Sequence, residues 1–395
     1  RSAGRPVRTR PIYQMQKEMG AVMGFNYGWE HPLWFAETPG VKDTNGFTRQ
    51  NWFEPVGKEC QMLREKAGII DISNFAKYVV QGKKGRDWLD AVFANKMPTE
   101  VGLSCLTPLI SRRGGLAGDF TVTLIAQDEY WIFGAGMAER YHKRFFDAVP
   151  LPEGVSFESR TEPVCGFNVA GPLSRKILQG LTDTSLNNED FKFMRSKRAD
   201  LAGIDVKMLR VSFTGDLGWE VHCNTADQKA LYTALLEAGK EFGAGPVGSR
   251  ALMAMRVEKG YGSWSREYSP EYWPHEQGMD RLCKMDKDFL NKAALQAVLA
   301  QEPREQMVLL HLNEAAVTAS NADATGGEPV FKDGNGIGRV TSGAYGYSVG
   351  FSLALAMVKD VGPGDEVEVM VLGQPHKAKI LHQPPFDPTG KKLRA

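Results

Sequence analysis

The chain has 395 residues and a mass of 43.7 kDa. At roughly 100–200 residues per domain, that length holds two to four domains. Lys and Arg total 48 against 47 Asp and Glu, a formal net charge of +1, which argues against nucleic-acid binding through bulk electrostatics. At 42% apolar the chain is too hydrophobic for disorder, and it has no run of about 18 apolar residues to span a membrane. Residue 1 is Arg, not Met, so a processed chain, a trimmed chain or a piece of a longer one is expected.

The five cysteines are an odd, widely spaced set with no CxxC, and no Asn-x-Ser/Thr sequon occurs. A reducing compartment is expected, bacterial cytoplasm or mitochondrial matrix. The first 17 residues carry Arg1, Arg5, Arg8, Arg10 and Lys17 and no acid. They read as a transit remnant or a basic linker, and Gly4 and Pro6 favour the linker.

Residues 11–50 are rich in aromatics and turns and read as an ordered wrapping segment, so residues 1–50 are taken as one unit. Val56, Cys60, Leu63 and Ala67 then follow helical spacing. Residues 78–80 form a strand and residues 86–94 a second helix. Strands at 106–110 and 120–125 flank a Gly114-Gly115 turn, as in a hairpin. Residues 130–133 add a strand and 135–148 a helix. A first α+β domain over residues 51–150, completed by 246–303, follows from this.

Residues 167–170 form a strand and 172–181 a helix opening with Pro172. Strands at 206–213 and 219–223 come next. Thr225 begins a helix to about residue 242, with Gln228 three residues on as a capping box. With a short return at 245–248, the order is β-α-β-β-α-β, a second, ferredoxin-like domain over residues 151–245. From 304 to 395 short apolar runs alternate with turn clusters, and Val367, Val369 and Val371 alternate with mostly polar neighbours. This predicts a small, partly open β-barrel. The fold class is α+β: two ferredoxin-like units and a C-terminal barrel.

Gly334, Gly336 and Gly338 do not complete a dinucleotide loop, and a hairpin turn explains them better. His275-Glu276 lacks the second His of a zinc helix, and no metal site is supported. Three stretches carry more chemistry. Asp119 stands where a glycine-rich turn enters the strand Phe120-Thr121-Val122-Thr123. It is either held at a cleft or a solvated turn aspartate. Glu220 lies in residues 212–222 (SFTGDLGWEVH), sharing a strand face with His222 and opposite to Trp219 and Val221. That face is solvent by default, or it lines a polar pocket. Residues 260–276 crowd Tyr261, Trp264, Tyr268, Tyr272 and Trp273 into a Gly/Ser/Pro-rich loop. They pack beneath it or form a stacking wall for a planar ligand.

Taken with residues 25–36 (FNYGWEHPLWFA), 64–82 (REKAGIIDISNFAKYVVQG), 250–264 and 343–350 (GAYGYSVG), these stretches resemble the aminomethyltransferase (T-protein) family of the glycine cleavage system. Within it they look most like the folate-binding half of dimethylglycine and sarcosine dehydrogenases. The resemblance covers nearly the whole chain. It implies a cloverleaf of three domains around a central channel for tetrahydrofolate. It makes Asp119 the catalytic carboxylate near the pterin nitrogens and Glu220 the acid that binds the pterin amino and ring NH groups. Phe213 and Trp264 become stacking walls where relatives have Tyr. Arg250 is the candidate for the folate tail, and Thr121 and Glu276 complete the cofactor-binding set.

Two departures stand out. Gly118 precedes Asp119 where the T-protein has a second acid, and Phe213 lacks a hydroxyl. The implied reaction takes a carbon at the oxidation level of formaldehyde, from a small-molecule N-methyl amine or aminomethyl donor, to 5,10-methylenetetrahydrofolate. A positioned carboxylate that relays a proton is worth roughly 10²–10⁴-fold. No GxGxxG lies near the start, so FAD is expected only in a missing N-terminal half or in a partner oxidase subunit. Neither nucleic acid nor membrane is an expected partner. The alternatives are a folate-dependent demethylase making 5-methyltetrahydrofolate, by analogy of fold, and a non-catalytic folate-binding or scaffold module of an oxidase complex.

Overall fold

A computed structural model describes residues 2–395, so the expectation attached to Arg1 lies outside the described residues. The basic linker expected at the start is instead pinned to the body. Arg5 makes a bidentate pair with buried Glu30, Nε–Oε1 2.8 Å and Nη2–Oε2 2.5 Å. Arg10 is buried, 3.9 Å from the Trp29 ring centre, and donates to the carbonyls of Ser73, Thr161 and Glu162. A guanidinium taken out of water needs such acceptors. Helix α1 (Tyr13–Glu18) and the hairpin β1 (Ala21–Asn26) and β2 (Trp29–Phe35) follow. Trp34 packs against Val56, Cys60 and Ala251, so the wrapping segment is part of the core.

The chain continues through α2 (Phe53–Glu65), β3 (Gly68–Asp71), β4 (Ala76–Gln81), α3 (Gly85–Val92), β5 (Ser104–Ile110), β6 (Leu116–Ala126), β7 (Glu129–Gly134), α4 (Glu139–Phe146) and β8 (Ser156–Ser159). Next come β9 (Val164–Ala170), α5 (Ser174–Gln179), β10 (Ser196–Leu201), β11 (Ile204–Leu209), β12 (Gly218–Asn224), α6 (Gln228–Lys240), β13 (Gly245–Val247), α7 (Ser249–Glu258) and α8 (Lys292–Leu299). One sheet has the order β5-β6-β7-β4-β8 and the other β10-β11-β12-β9-β3-β13.

The second sheet keeps the ferredoxin-like core β11-β12-β9-β13, with β3 inserted between β9 and β13 and β10 added at the edge. The split expected at residue 150 is therefore not followed by the strands. β3 leaves the first unit to pair with β9 and β13, and β8 returns to pair with β4. Pairing of distant segments leaves no mark on local periodicity. The capping box at Thr225 is not formed: Thr225 Oγ1 donates to the Glu162 carbonyl, and Gln228 donates to Ser73 Oγ. A 3-10 turn, Thr225–Asp227, leads into α6 instead.

Each sheet buries one face under its own helices. Phe120, Val122, Leu124, Tyr130 and Ile132 pack with Trp88, Leu89 and Val92 of α3. Phe167, Val169, Trp219 and Val221 pack with Leu231, Tyr232 and Leu235 of α6. The alternate residues of the same strands point the other way, and the two sheets meet there through Val79, Trp131, Phe133 and Leu209.

After Arg304 the strands β14 (Gln306–Leu312), β15 (Pro329–Lys332), β16 (Asn335–Gly346), β17 (Phe351–Val358), β18 (Glu366–Val371) and β19 (Gln374–Ile380) form a barrel, with a short helix α9 (Glu314–Ser320) after β14. The barrel is closed, not partly open, because β14 pairs with both β17 and β19. The Gly334 cluster is a hairpin turn, Lys332 opposite Asn335. No helix among the described residues is long and apolar enough to cross a membrane.

Two buried polar knots tie these parts together. Arg64 of α2 pairs with Asp216 and, at 2.6 Å, with Glu258 of α7, while Phe386 covers its guanidinium at 3.5 Å. Arg256 of α7 holds Glu267 at 2.9 Å and Ser342 of the barrel at 2.5 Å.

Candidate functional site

Asp119 sits in β6 with its neighbours Gly118 and Phe120 turned into the core of the first sheet. Its side chain, with those of Thr121 and Thr123, therefore faces the second sheet. It is half-buried, and burial pushes its carboxyl up to about 6, opposed only in part by its own backbone N–H. Tyr268 of the aromatic loop lies close by: burial first, and then the Asp119 charge, push its hydroxyl up. A carboxyl that titrates near neutrality can both take and give a proton at working pH.

Thr121 is directly opposite Phe133, and Phe133 opposite Lys77, so the three share the inter-sheet face. Phe133 stacks on His222 of the second sheet, centroids 4.6 Å apart. His222 Nε2 lies 3.3 Å from Glu220 Oε2. Glu220 itself is half-buried. The default expectation that Glu220 and His222 face solvent is thus overturned: the second sheet closes on the first, and its polar face becomes an interior wall. Thr121 on one wall and Glu220 on the other are linked through Phe133 and His222, and Asp119 precedes Thr121 on the same strand face.

The surroundings of Glu220 carry positive groups. Lys77 is buried, donates to the carbonyls of Ser73 and Phe75 at 2.9 and 2.8 Å, and is pulled down to about 7 by burial. Lys207 lies opposite His222 and over the Trp131 ring at 4.5 Å. His222 is pulled down mainly by burial, with Glu220 acting in the opposite sense. A neutral imidazole beside a carboxylate is the consequence.

The aromatic expectations divide. Trp264 packs on Tyr141 and His142 of α4, centroids 5.7 and 4.9 Å away. Phe213 lies against Tyr261 at 6.4 Å and joins the cluster of α2, α7 and the hairpin. Both are half-buried, and their ring partners differ, so they belong to different walls.

Arg250 and Glu276 both have partners within the chain. Arg250 donates to Asp43 at 2.6 Å and covers Trp52, so it anchors the wrapping segment. Glu276 is buried and takes the backbone N–H of Trp273 and both the backbone and the guanidinium of Arg304. Its acceptors are used internally. Tyr268 is one of the loop aromatics already named from the sequence, whereas His142 and Lys77 were not singled out. For Tyr268 the signal was present, a tyrosine in a Gly/Ser/Pro-rich loop. For Lys77 and His142 there was none, since burial of a single charged residue is a tertiary fact.

The whole arrangement is that of the aminomethyltransferase T class. The crystal structure of the glycine cleavage system aminomethyltransferase T from Bartonella henselae matches over 97% of this chain and 99% of that one, with a TM-score of 0.82 and 21% identity, a likeness of fold. The chain belongs to the glycine cleavage T-protein family: residues 12–287 match the GCVT N-terminal domain and residues 306–387 the glycine cleavage T-protein C-terminal barrel domain. Mitochondrial dimethylglycine dehydrogenase of Mus musculus is 34% identical over 97% of this chain, and the chain spans only 44% of that relative's length. A probable aminomethyltransferase of Thermococcus kodakarensis is 26% identical over 95% of this chain and 96% of its own.

Proposed function

We propose that the chain transfers a one-carbon unit at the oxidation level of formaldehyde to tetrahydrofolate, giving 5,10-methylenetetrahydrofolate. The donor is an N-methyl amine of the dimethylglycine or sarcosine type, or an aminomethyl compound. The observation that carries this reading is Asp119, a desolvated carboxyl at about 6 on the wall facing Glu220. Family membership and the dehydrogenase relative support the folate and donor assignments.

Glu220 would hold the pterin. Its Oε1 accepts no hydrogen bond within the described residues, and a carboxylate matches a donor-donor edge by a bidentate, charge-assisted pair. Phe213 and Trp264 would cover the ring faces and Thr121 would line the wall between. Tetrahydrofolate, when bound, supplies the nitrogen nucleophiles that take up the carbon. Asp119 does two things in this scheme. Ionised, it offsets positive charge that develops beside it; it also accepts and returns the proton that moves at nitrogen. Burial of Asp119 would strengthen both effects. An FAD-bearing oxidase domain or subunit would produce the formaldehyde-level carbon.

The test is Asp119→Asn. Tetrahydrofolate binding stays near wild type, and turnover with formaldehyde or dimethylglycine plus an oxidase falls by about 10²–10⁴-fold. Intact turnover with folate bound would remove Asp119 from the mechanism. Product analysis by NMR separates the methylene product from 5-methyltetrahydrofolate, which would favour a demethylase.

A further inference from the structure

Glu220 is held by one side chain, and that side chain is itself held on several sides. His222 is two residues on in β12, on the same strand face. Its Nε2 lies 3.3 Å from Glu220 Oε2. Phe133 stacks on the ring, interplanar angle 29°. Behind the ring is Gly166, directly opposite in β9, and a Cβ there would lie 2.5 Å from His222 Nδ1. Ile72 closes the same side. The imidazole is fully buried and has no rotamer freedom to spare.

We infer that His222 is a positioning residue for the folate anchor: its Nε2–H fixes the rotamer of Glu220 so that the free Oε1 edge meets the pterin. This rests on the folate reading of Glu220 given above. The tautomer follows from the surroundings. A carboxylate oxygen next to Nε2 requires a donor there, whereas Nδ1 faces Gly166 and Ile72 and has no partner among the described residues. Burial keeps the ring neutral, so only one nitrogen carries hydrogen. A free Glu220 side chain would have to be ordered on binding, and holding it beforehand removes that cost.

The experiment uses the full chain and three variants. His222→Phe keeps the stack on Phe133 and removes the donor; His222→Gln keeps a donor; Glu220→Gln removes the anchor. Anaerobic calorimetric titration with tetrahydrofolate gives Kd, and steady-state rates give KM and kcat. The expected result is a Kd and KM raised about tenfold in both His222→Phe and Glu220→Gln, with kcat at saturating folate within about twofold of wild type for His222→Phe. His222→Gln should return to within about threefold of wild-type Kd. A merely structural role would lower the melting temperature without this split.

If Glu220→Gln weakens binding and His222→Phe does not, the inference is overturned while the folate reading stands. If Glu220→Gln leaves Kd unchanged, both fall. Should His222→Phe fail to fold, the ring nitrogens of ¹⁵N-histidine-labelled wild type decide: Nε2 protonated and Nδ1 bare is expected, and a protonated Nδ1 with bare Nε2 overturns it.

Discussion

In the proposed mechanism, Asp119 trades stability for chemistry. Its ordinary value of 3.8 rises to about 6 in the folded chain. The folded state therefore binds this proton more tightly than the unfolded one. The stabilising contribution is complete below about pH 4 and is lost as pH rises through 6, so above that the buried charge costs about 1–3 kcal/mol. Asp119→Asn should raise the melting temperature at pH 8, and the gain should vanish near pH 4. In wild type, kcat/KM should fall as pH drops through about 6, and the residual rate of Asp119→Asn should lack that limb. Gly118 belongs at the same scale. A Cβ there would come within 2.7 Å of His142 Nε2 and of the Phe120 ring, so the second acid of the T-protein pattern has no room. His142 is kept neutral, pulled down to about 4 by burial. Gly118→Asp should lower stability by about 2–4 kcal/mol, read by denaturant titration, without enhancing turnover.

At the scale of elements, α2 matters more than its length suggests. It presents Arg64 to two carboxylates that are almost fully buried, Asp216 at 2% and Glu258 at 0% exposure. Burial pushes Asp216 up to about 6 even with Arg64 beside it. Removing the cation leaves unpaired buried charge, so Arg64→Met should cost about 3–5 kcal/mol at pH 8. The cost should shrink at pH 5, where Asp216 takes up a proton; an equal loss at both pH values would contradict this account. Strand β12 teaches a different lesson. Its alternation was legible: Trp219 and Val221 on one face, Glu220 and His222 on the other. What covers the second face was not, because period-2 patterning reports that a face is polar and says nothing about whether water or another sheet lies against it.

At the scale of the whole molecule, the barrel and the body share buried ions. Arg256 at 1% exposure holds Glu267 and Ser342, and Thr341 of the barrel donates to the same Glu267. Val257 packs with Leu309, Leu353 and Leu355 across the joint. Unfolding the barrel alone would strip the Ser342 and Thr341 hydroxyls from this buried ion pair. Scanning calorimetry should therefore show one cooperative transition, with barrel and body not resolved; two separate transitions would show that the knots do not couple them.

The class of fold, most strands and helices, the barrel and the stretches around Asp119 and Glu220 were written locally in turn residues, apolar spacing and a family pattern. These are near-neighbour properties, and near neighbours decide them. The tertiary structure decided what depends on distant segments: the exchange of β3 and β8 between sheets, closure of the barrel, and the internal use of Arg250 by Asp43 and of Glu276 by Arg304. It also decided that Glu220 and His222 face Phe133 instead of water. Burial is set by what arrives from elsewhere in the chain. The shift of Asp119, the neutrality of His222 and the partner of each ion follow from burial, so none of them could be read from the order of residues alone.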